Sequence, residues 1–196
     1  MEDAKMAVDL GAWALGFNFY AESPRFISLK RAADITSRLP KSVEKVGIFV
    51  NASADEVRIR SKLAGFTMVQ LHGDENPSVC TRIQTKKIIK AFRPENPEDL
   101  ELIKAYTSIK YILIDAAVPG EYGGTGRRGN WKLAKKAKEY GKVILAGGLY
   151  ADNIRLAVEE VNPFAVDVTS GVEARTGVKD PKKMKEFFKM VKKYVL

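Results

Sequence analysis

Short apolar runs alternate along this chain with longer segments whose apolar residues recur at helical spacing. The runs fall at 14–19, 46–50, 68–71, 88–92, 111–114, 143–146 and 165–169. They are apolar throughout rather than alternating, the pattern of strands buried on both faces of a parallel sheet. Helical periodicity covers 2–11, 29–38, 53–63, 77–84, 97–105, 131–139, 151–160 and 180–194. In the first, Ala4, Ala7 and Val8 share a face and Gly11 is a stop; in the second, Ala32, Ile35 and Leu39 point inward. The helix of 151–160 offers Ile154, Ala157, Val158 and Val161, and the last one Met184, Phe187, Phe188, Val191 and Val195.

Strict strand–helix alternation means βα units with right-handed crossovers. Polar and Gly-rich groups collect after the strands: Asn51, His72-Gly73-Asp74, Arg93, Asp115, Gly147-Gly148 and Ser170-Gly171. A (β/α)8 barrel builds its active site at that end. We therefore expect one α/β domain of TIM-barrel type over 1–196. A doubly wound open sheet is the alternative, although no Gly-x-Gly-x-x-Gly follows an early strand. The count gives eight helices and seven strands with a helix first. That leads us to expect an N-terminally incomplete barrel lacking its first strand, with an open edge that favours self-association, such as a homodimer.

The fifth run delivers a lone carboxylate, Asp115, to its end. A Gly-rich loop carrying Arg127 and Arg128 follows, before the helix that starts at Trp131. Loops of that length are uncommon in a compact domain unless functional or disordered. Asp115 is thus the first catalytic candidate, with loop capping as the competing role. Gly147 and Gly148 after one strand, and Ser170 and Gly171 after the next, permit close backbone approach to an anion. In barrels the loops after the last two strands commonly hold phosphate. Lys90 lies inside an apolar run, where it could face the barrel interior or reach outward.

Composition narrows the classes. Apolar residues make up 45% and charged residues 29%, ordinary for a soluble globular chain. There is no apolar run long enough for a membrane span and no secretory signal pattern, so a cytoplasmic location is expected. The single cysteine, Cys80, excludes an internal disulfide framework, and with one histidine a Cys/His metal site is not expected. Cys80 sits mid-helix and reads as a small buried hydrophobe. The net charge of +9 suggests anionic partners. Much of the excess lies on helical repeats at 132–138 and 182–193, as solvated faces do, and no nucleic-acid motif accompanies it. A phosphorylated small molecule is the expected partner rather than nucleic acid or membrane.

Several motifs together resemble the phosphoribosylanthranilate isomerase family. They are Ala-Leu-Gly-Phe-Asn-Phe-Tyr at 14–20, Ser-Pro-Arg-Phe-Ile-Ser at 23–28, Lys-Val-Gly-Ile-Phe-Val-Asn at 45–51, Val-Gln-Leu-His-Gly-Asp at 69–74 and Ile-Lys-Ala-Phe at 89–92. Further on come Ile-Asp-Ala-Ala-Val-Pro-Gly-Glu-Tyr-Gly-Gly-Thr-Gly at 114–126, Trp131, Ile-Leu-Ala-Gly-Gly-Leu at 144–149, Val-Asp-Val-Thr-Ser-Gly-Val-Glu at 166–173 and Gly-Val-Lys-Asp at 177–180. They span nearly the whole chain in the family's order.

The resemblance implies a (β/α)8 enzyme of tryptophan biosynthesis. Its reaction is the Amadori rearrangement of N-(5-phosphoribosyl)anthranilate to 1-(2-carboxyphenylamino)-1-deoxyribulose 5-phosphate, without a cofactor. It further implies that Asp115 is the general acid and that Arg25 contacts the anthranilate end of the substrate. Asp167 is implied as a further contact; His72, beside Gln70 at a strand end, is a substrate-binding candidate. The family's base is a cysteine in a Lys-Ile-Cys-Gly motif, which these 196 residues do not contain. From that we expect weak turnover by this chain, an internal Met having been taken as its start. A non-catalytic phosphosugar-binding or interaction protein is the alternative.

Overall fold

The computed structural model describes residues 1–83, 87–115 and 131–194. The expected Gly-rich loop with Arg127 and Arg128 lies outside the described residues, as does Val195. Seven parallel strands follow one another in chain order among the described residues: β1 (Ala14–Asn18), β2 (Glu44–Phe49), β3 (Met68–Leu71), β4 (Ile88–Phe92), β5 (Tyr111–Asp115), β6 (Val143–Ala146) and β7 (Ala165–Val166). Helices α1 (Glu2–Asp9), α2 (Leu29–Ser37), α3 (Ala54–Ala64), α4 (Pro77–Ile83), α5 (Trp131–Ala137), α6 (Ile154–Val161) and α7 (Pro181–Tyr194) alternate with them. The helix expected over 97–105 is present as Pro97–Ala105, wound as a 3₁₀ helix. Its buried residues, Leu100 and Ile103, stand three apart, the spacing that three residues per turn aligns.

The chain divides into two compact units, Met1–Lys90 with Tyr106–Lys110, and Ala91–Ala105 with Tyr111–Leu196. In the first, β1 pairs with β2, β2 with β3 and β3 with β4, all parallel. Phe17, Phe49, Val69, Leu71 and Ile88 from its strands, and Phe19 just after β1, enter one core with Ala32, Ile35, Val57, Cys80 and Ile83 from its helices. Side chains alternate along a strand. Asn18, Ile48, Gln70 and Ile89 therefore take the opposite face, while Lys90 shares the helix-facing side with Ile88.

Local chemistry sets the element ends. Ser28 and Ser53 cap α2 and α3, accepting from the N–H of Arg31 and Glu56 at 3.4 and 3.2 Å. Gly65 ends α3 at φ +68°, a conformation that favours glycine. The next residue, Phe66, lies over Gly47, where an added Cβ would stand 2.3 Å from its ring. That close approach lets Phe66 meet Phe17 and Phe19 at centroid distances of 5.5 and 5.3 Å. Strand β2 starts two residues before the apolar run because its polar ends find partners: the Lys45 N–H donates to Thr67 Oγ1 at 2.9 Å and Lys45 Nζ to the Pro40 carbonyl at 3.2 Å.

In the second unit β5 pairs with β6 and β6 with β7, again parallel. Strand β7 keeps only two of the five expected residues; the chain then turns through a short 3₁₀ segment, Ser170–Val172. An antiparallel hairpin follows, β8 (Glu173–Arg175) with β9 (Val178–Lys179), which no alternating pattern had announced. Helix α6 buries Ile154, Ala157, Val158 and Val161 as expected. Helix α7 buries Met184 and Phe187, whereas Phe188 and Val191 are only partly covered.

Candidate functional site

In the second unit the strand ends bring two carboxylates onto one face. Asp115 closes β5 in register with Ala146, and Leu145 is in register with Val166. The Asp167 N–H continues that pairing by donating to the Leu145 carbonyl at 2.8 Å. One step along the register, Ala146 stands between Asp115 and Asp167, with all three side chains on the same face. Two strand spacings separate the acids by about 10 Å at their backbones. Ala146 puts only a methyl group between them. Both aspartates are half-buried.

Directly beyond the same strand ends lies a cavity of about 360 Å³. Gly148, Ser170 and Gly171 line it, together with Tyr150, Asp152, Lys183 and Glu186. Gly147 and Gly148 hold φ of +84° and +65°, so the turn after β6 requires glycine geometry. At Gly171 a Cβ would stand 1.9 Å from the Leu149 carbonyl oxygen, so the two loops touch backbone to backbone. Asn153 fastens the first loop: its Nδ2 donates to the Gly148 carbonyl at 2.8 Å and its Oδ1 accepts from the Tyr150 N–H at 2.9 Å. This turn is why α6 begins at Ile154 and not at 151. Lys179 Nζ donates to the Thr169 carbonyl at 2.9 Å and Lys183 Nζ to the Glu173 carbonyl at 2.7 Å, pinning the second loop to hairpin and helix.

The first unit carries the other two candidates. Arg25 is half-buried on the loop between β1 and α2. That loop is shaped by Asn18 and Ser23: Asn18 Nδ2 donates to Ser23 Oγ at 3.1 Å, and the Arg25 N–H reaches the same oxygen at 3.2 Å. The bond from the Ile27 N–H to the Asn18 carbonyl, 2.9 Å, closes the loop. His72 follows β3, its N–H on the Phe49 carbonyl at 2.8 Å. Gln70 Nε2 lies 2.8 Å from His72 Nδ1.

Cys80 is 2% exposed in the helix layer, and burial pushes its thiol pKa up. It is a core side chain, as expected. The orientation of Lys90, open in the sequence, is toward the helices: its Nζ pairs with Glu75 Oε2 at 3.1 Å, both side chains buried. No cluster of His, Cys, Asp and Glu suited to a metal occurs among the described residues. None of their helices is long and apolar enough to cross a membrane.

Parallel βα units with acids and a glycine-lined cavity at the strand ends are the arrangement of an α/β enzyme. Residues 1–190 match the model for N-(5'phosphoribosyl)anthranilate (PRA) isomerase. The chain belongs to that isomerase family of tryptophan biosynthesis. It is 48% identical over 192 residues to the N-(5'-phosphoribosyl)anthranilate isomerase of Geobacter metallireducens, covering 98% of this chain and 94% of that one. The crystal structure of phosphoribosyl anthranilate isomerase from Thermotoga maritima superposes with a TM-score of 0.91 at 39% identity, over 98% of this chain and 94% of that one. A structure of the isomerase in complex with reduced 1-(o-carboxyphenylamino)-1-deoxyribulose 5-phosphate gives a TM-score of 0.86 at 36% identity, covering 98% and 93%.

Proposed function

We infer that this chain binds N-(5-phosphoribosyl)anthranilate and takes part in its rearrangement to 1-(2-carboxyphenylamino)-1-deoxyribulose 5-phosphate. The observation that carries the reading is the second unit's strand-end row, Asp115 and Asp167 on either side of Ala146, next to the cavity lined by Gly148, Ser170 and Gly171. A relative's structure holding a reduced form of the product supports the choice of ligand. The family match runs without a break from 1 to 190, across both compact units, which supports treating the chain as a single (β/α)8-type domain. A cytoplasmic setting suits such a biosynthetic enzyme. A dimeric relative among the solved structures supports testing for a homodimer.

In this reading the phosphate sits against the backbone of Gly147, Gly148, Ser170 and Gly171; the resemblance assigns Arg25 the anthranilate carboxylate, which a planar guanidinium binds bidentately. Asp115 protonates the ribose ring oxygen. The C1–O bond then breaks, and the nitrogen lone pair forms a C1–N iminium. Loss of the C2 proton to a base gives an enolamine, which becomes the 2-ketone by moving a proton to C1. By the resemblance Asp167 is a substrate contact, and His72 is a further candidate. No oxidant or reductant is consumed, because the hydrogen lost at C2 is regained at C1.

The resemblance gives the base role to a cysteine, and the chain's single cysteine is Cys80 on α4, buried among core side chains. On that observation we expect the 196 residues taken alone to turn over slowly. The same observation favours the second reading, a phosphosugar-binding protein without catalysis. The deciding experiment titrates the reduced product into the protein by calorimetry and follows consumption of fluorescent substrate in parallel. Binding in the micromolar range, weakened by inorganic phosphate, supports the site; no binding at millimolar ligand removes it. Fast turnover by this chain would contradict the expected lack of a base. Appending a Lys-Ile-Cys-Gly strand should raise turnover under the isomerase reading and leave it unchanged under the other.

A further inference from the structure

A buried charge pair in the first unit has no part in that chemistry. Lys90 is 2% and Glu75 4% exposed, with Lys90 Nζ 3.1 Å from Glu75 Oε2. Desolvating two charges is costly enough that apolar side chains of the same volume often serve stability as well or better. Burial in the core therefore does not explain the pair. Its other contacts do.

The Glu75 carboxylate gathers backbone donors from two strand ends. Oε1 accepts from the Asn51 N–H after β2 at 2.9 Å, and both oxygens accept from the Gly73 N–H after β3 at 3.1 Å. Lys90 Nζ, from β4, donates to the Gly73 carbonyl at 2.6 Å. Both the N–H and the C=O of Gly73 are thus held by the pair. Asn51, at φ +53°, adds a bond from the Asp74 N–H to its Oδ1 at 2.7 Å. At Gly73 a Cβ would meet that Oδ1 at 2.3 Å, so a side chain could not enter the junction. Tyr106 completes the arrangement, its hydroxyl donating to the Glu75 carbonyl at 2.9 Å. The residue immediately before Gly73 is His72.

We propose that Glu75 and Lys90 are positioning residues: the buried pair fixes the Gly73 peptide, and through it sets where His72 presents its ring to substrate. The proposal rests on the reading of His72 as a substrate contact, and the test separates the two. His72 is the only histidine of the chain, so its imidazole nitrogens give one set of NMR signals. Lys90→Met keeps the volume and removes the cation; Glu75→Gln combined with Lys90→Met removes both charges.

With the fold retained by circular dichroism, both variants are expected to shift or broaden the ring signals. Affinity for the reduced product should fall about 10- to 100-fold, the scale that small misplacements of a binding group produce. Replacing His72 by Asn should then weaken binding far less in the Lys90→Met background than in the wild type. Unchanged ring signals in a folded variant overturn the proposal. So does a full His72→Asn effect in the Lys90→Met background. If the wild type does not bind the product, the functional reading fails while the ring signals still decide the positioning. Should Lys90→Met not fold, Glu75→Gln takes its place, because it breaks the two-oxygen hold of the carboxylate on the Gly73 N–H, and an unmoved ring in it also overturns the proposal.

Discussion

Replacing Gly171 by Ala puts the anion cavity to a strict test. The new Cβ would start 1.9 Å from the Leu149 oxygen and 3.1 Å from Tyr150 Cβ. An ordinary carbon–oxygen contact is near ~3.3 Å, so the two loops must part by more than ~1 Å. Neither partner can rotate away, because the nearest atoms are backbone and Asn153 ties the Gly148–Tyr150 turn in place. Overpacking of this kind costs about 1–3 kcal/mol of stability. The loops that line the cavity move apart together. Losing one hydrogen bond to an anion, about 1.5–3 kcal/mol, then weakens phosphate binding roughly 10- to 100-fold. Urea unfolding gives the first quantity, and calorimetric titration with inorganic phosphate and reduced product gives the second. A folded Gly171→Ala protein that binds phosphate within about two-fold of wild type would refute the assignment of the anion to these loops.

Two further outcomes follow from the charges and the thiol. Burial alone would raise the Glu44 pKa, but hydrogen bonds from Lys87 and Thr67 and the charges of Lys87 and Lys110 outweigh it and hold the carboxyl below its ordinary 4.5. A depressed folded pKa stabilises above the unfolded value and stops doing so as pH falls through the folded one. Glu44→Gln should therefore cost about 1 kcal/mol at neutral pH, and the difference in urea midpoint should vanish in acid below 4.5. Cys80, 2% exposed and with its thiol pKa raised by burial, should resist a disulfide reagent in the native protein and react fully in denaturant. Rapid native labelling would show that the α4 layer opens.

The sheet could be read from the sequence where strands are apolar throughout: the runs at 68–71, 88–92 and 143–146 are β3, β4 and β6 without adjustment. Reading stopped where polar side chains supply the structure. Asn153 replaces the first turn of α6, and Asn18 with Ser23 shapes the Arg25 loop; neither leaves a mark in hydrophobic periodicity. Gly147, Gly148 and Gly171 stand where positive φ or backbone contact demands glycine, which is why the turns beside the cavity were legible. The row formed by Asp115, Ala146 and Asp167 needed the register, which no single strand contains. Lys90 was visible as a charge within an apolar run, yet its partner Glu75 lies in a loop that sequence pattern leaves undifferentiated.

The most direct measurement is the rate at which fluorescent N-(5-phosphoribosyl)anthranilate disappears in the presence of four proteins: the chain alone and the chain with an appended Lys-Ile-Cys-Gly strand, each with Asp115 intact or as Asp115→Asn. The account predicts slow turnover by the chain alone and faster turnover with the added cysteine. Asp115→Asn should lower that gained rate by about 10²- to 10⁴-fold, the usual contribution of a general acid. A rate that survives Asp115→Asn in the cysteine-bearing protein would contradict the assignment of the acid, and with it the central claim.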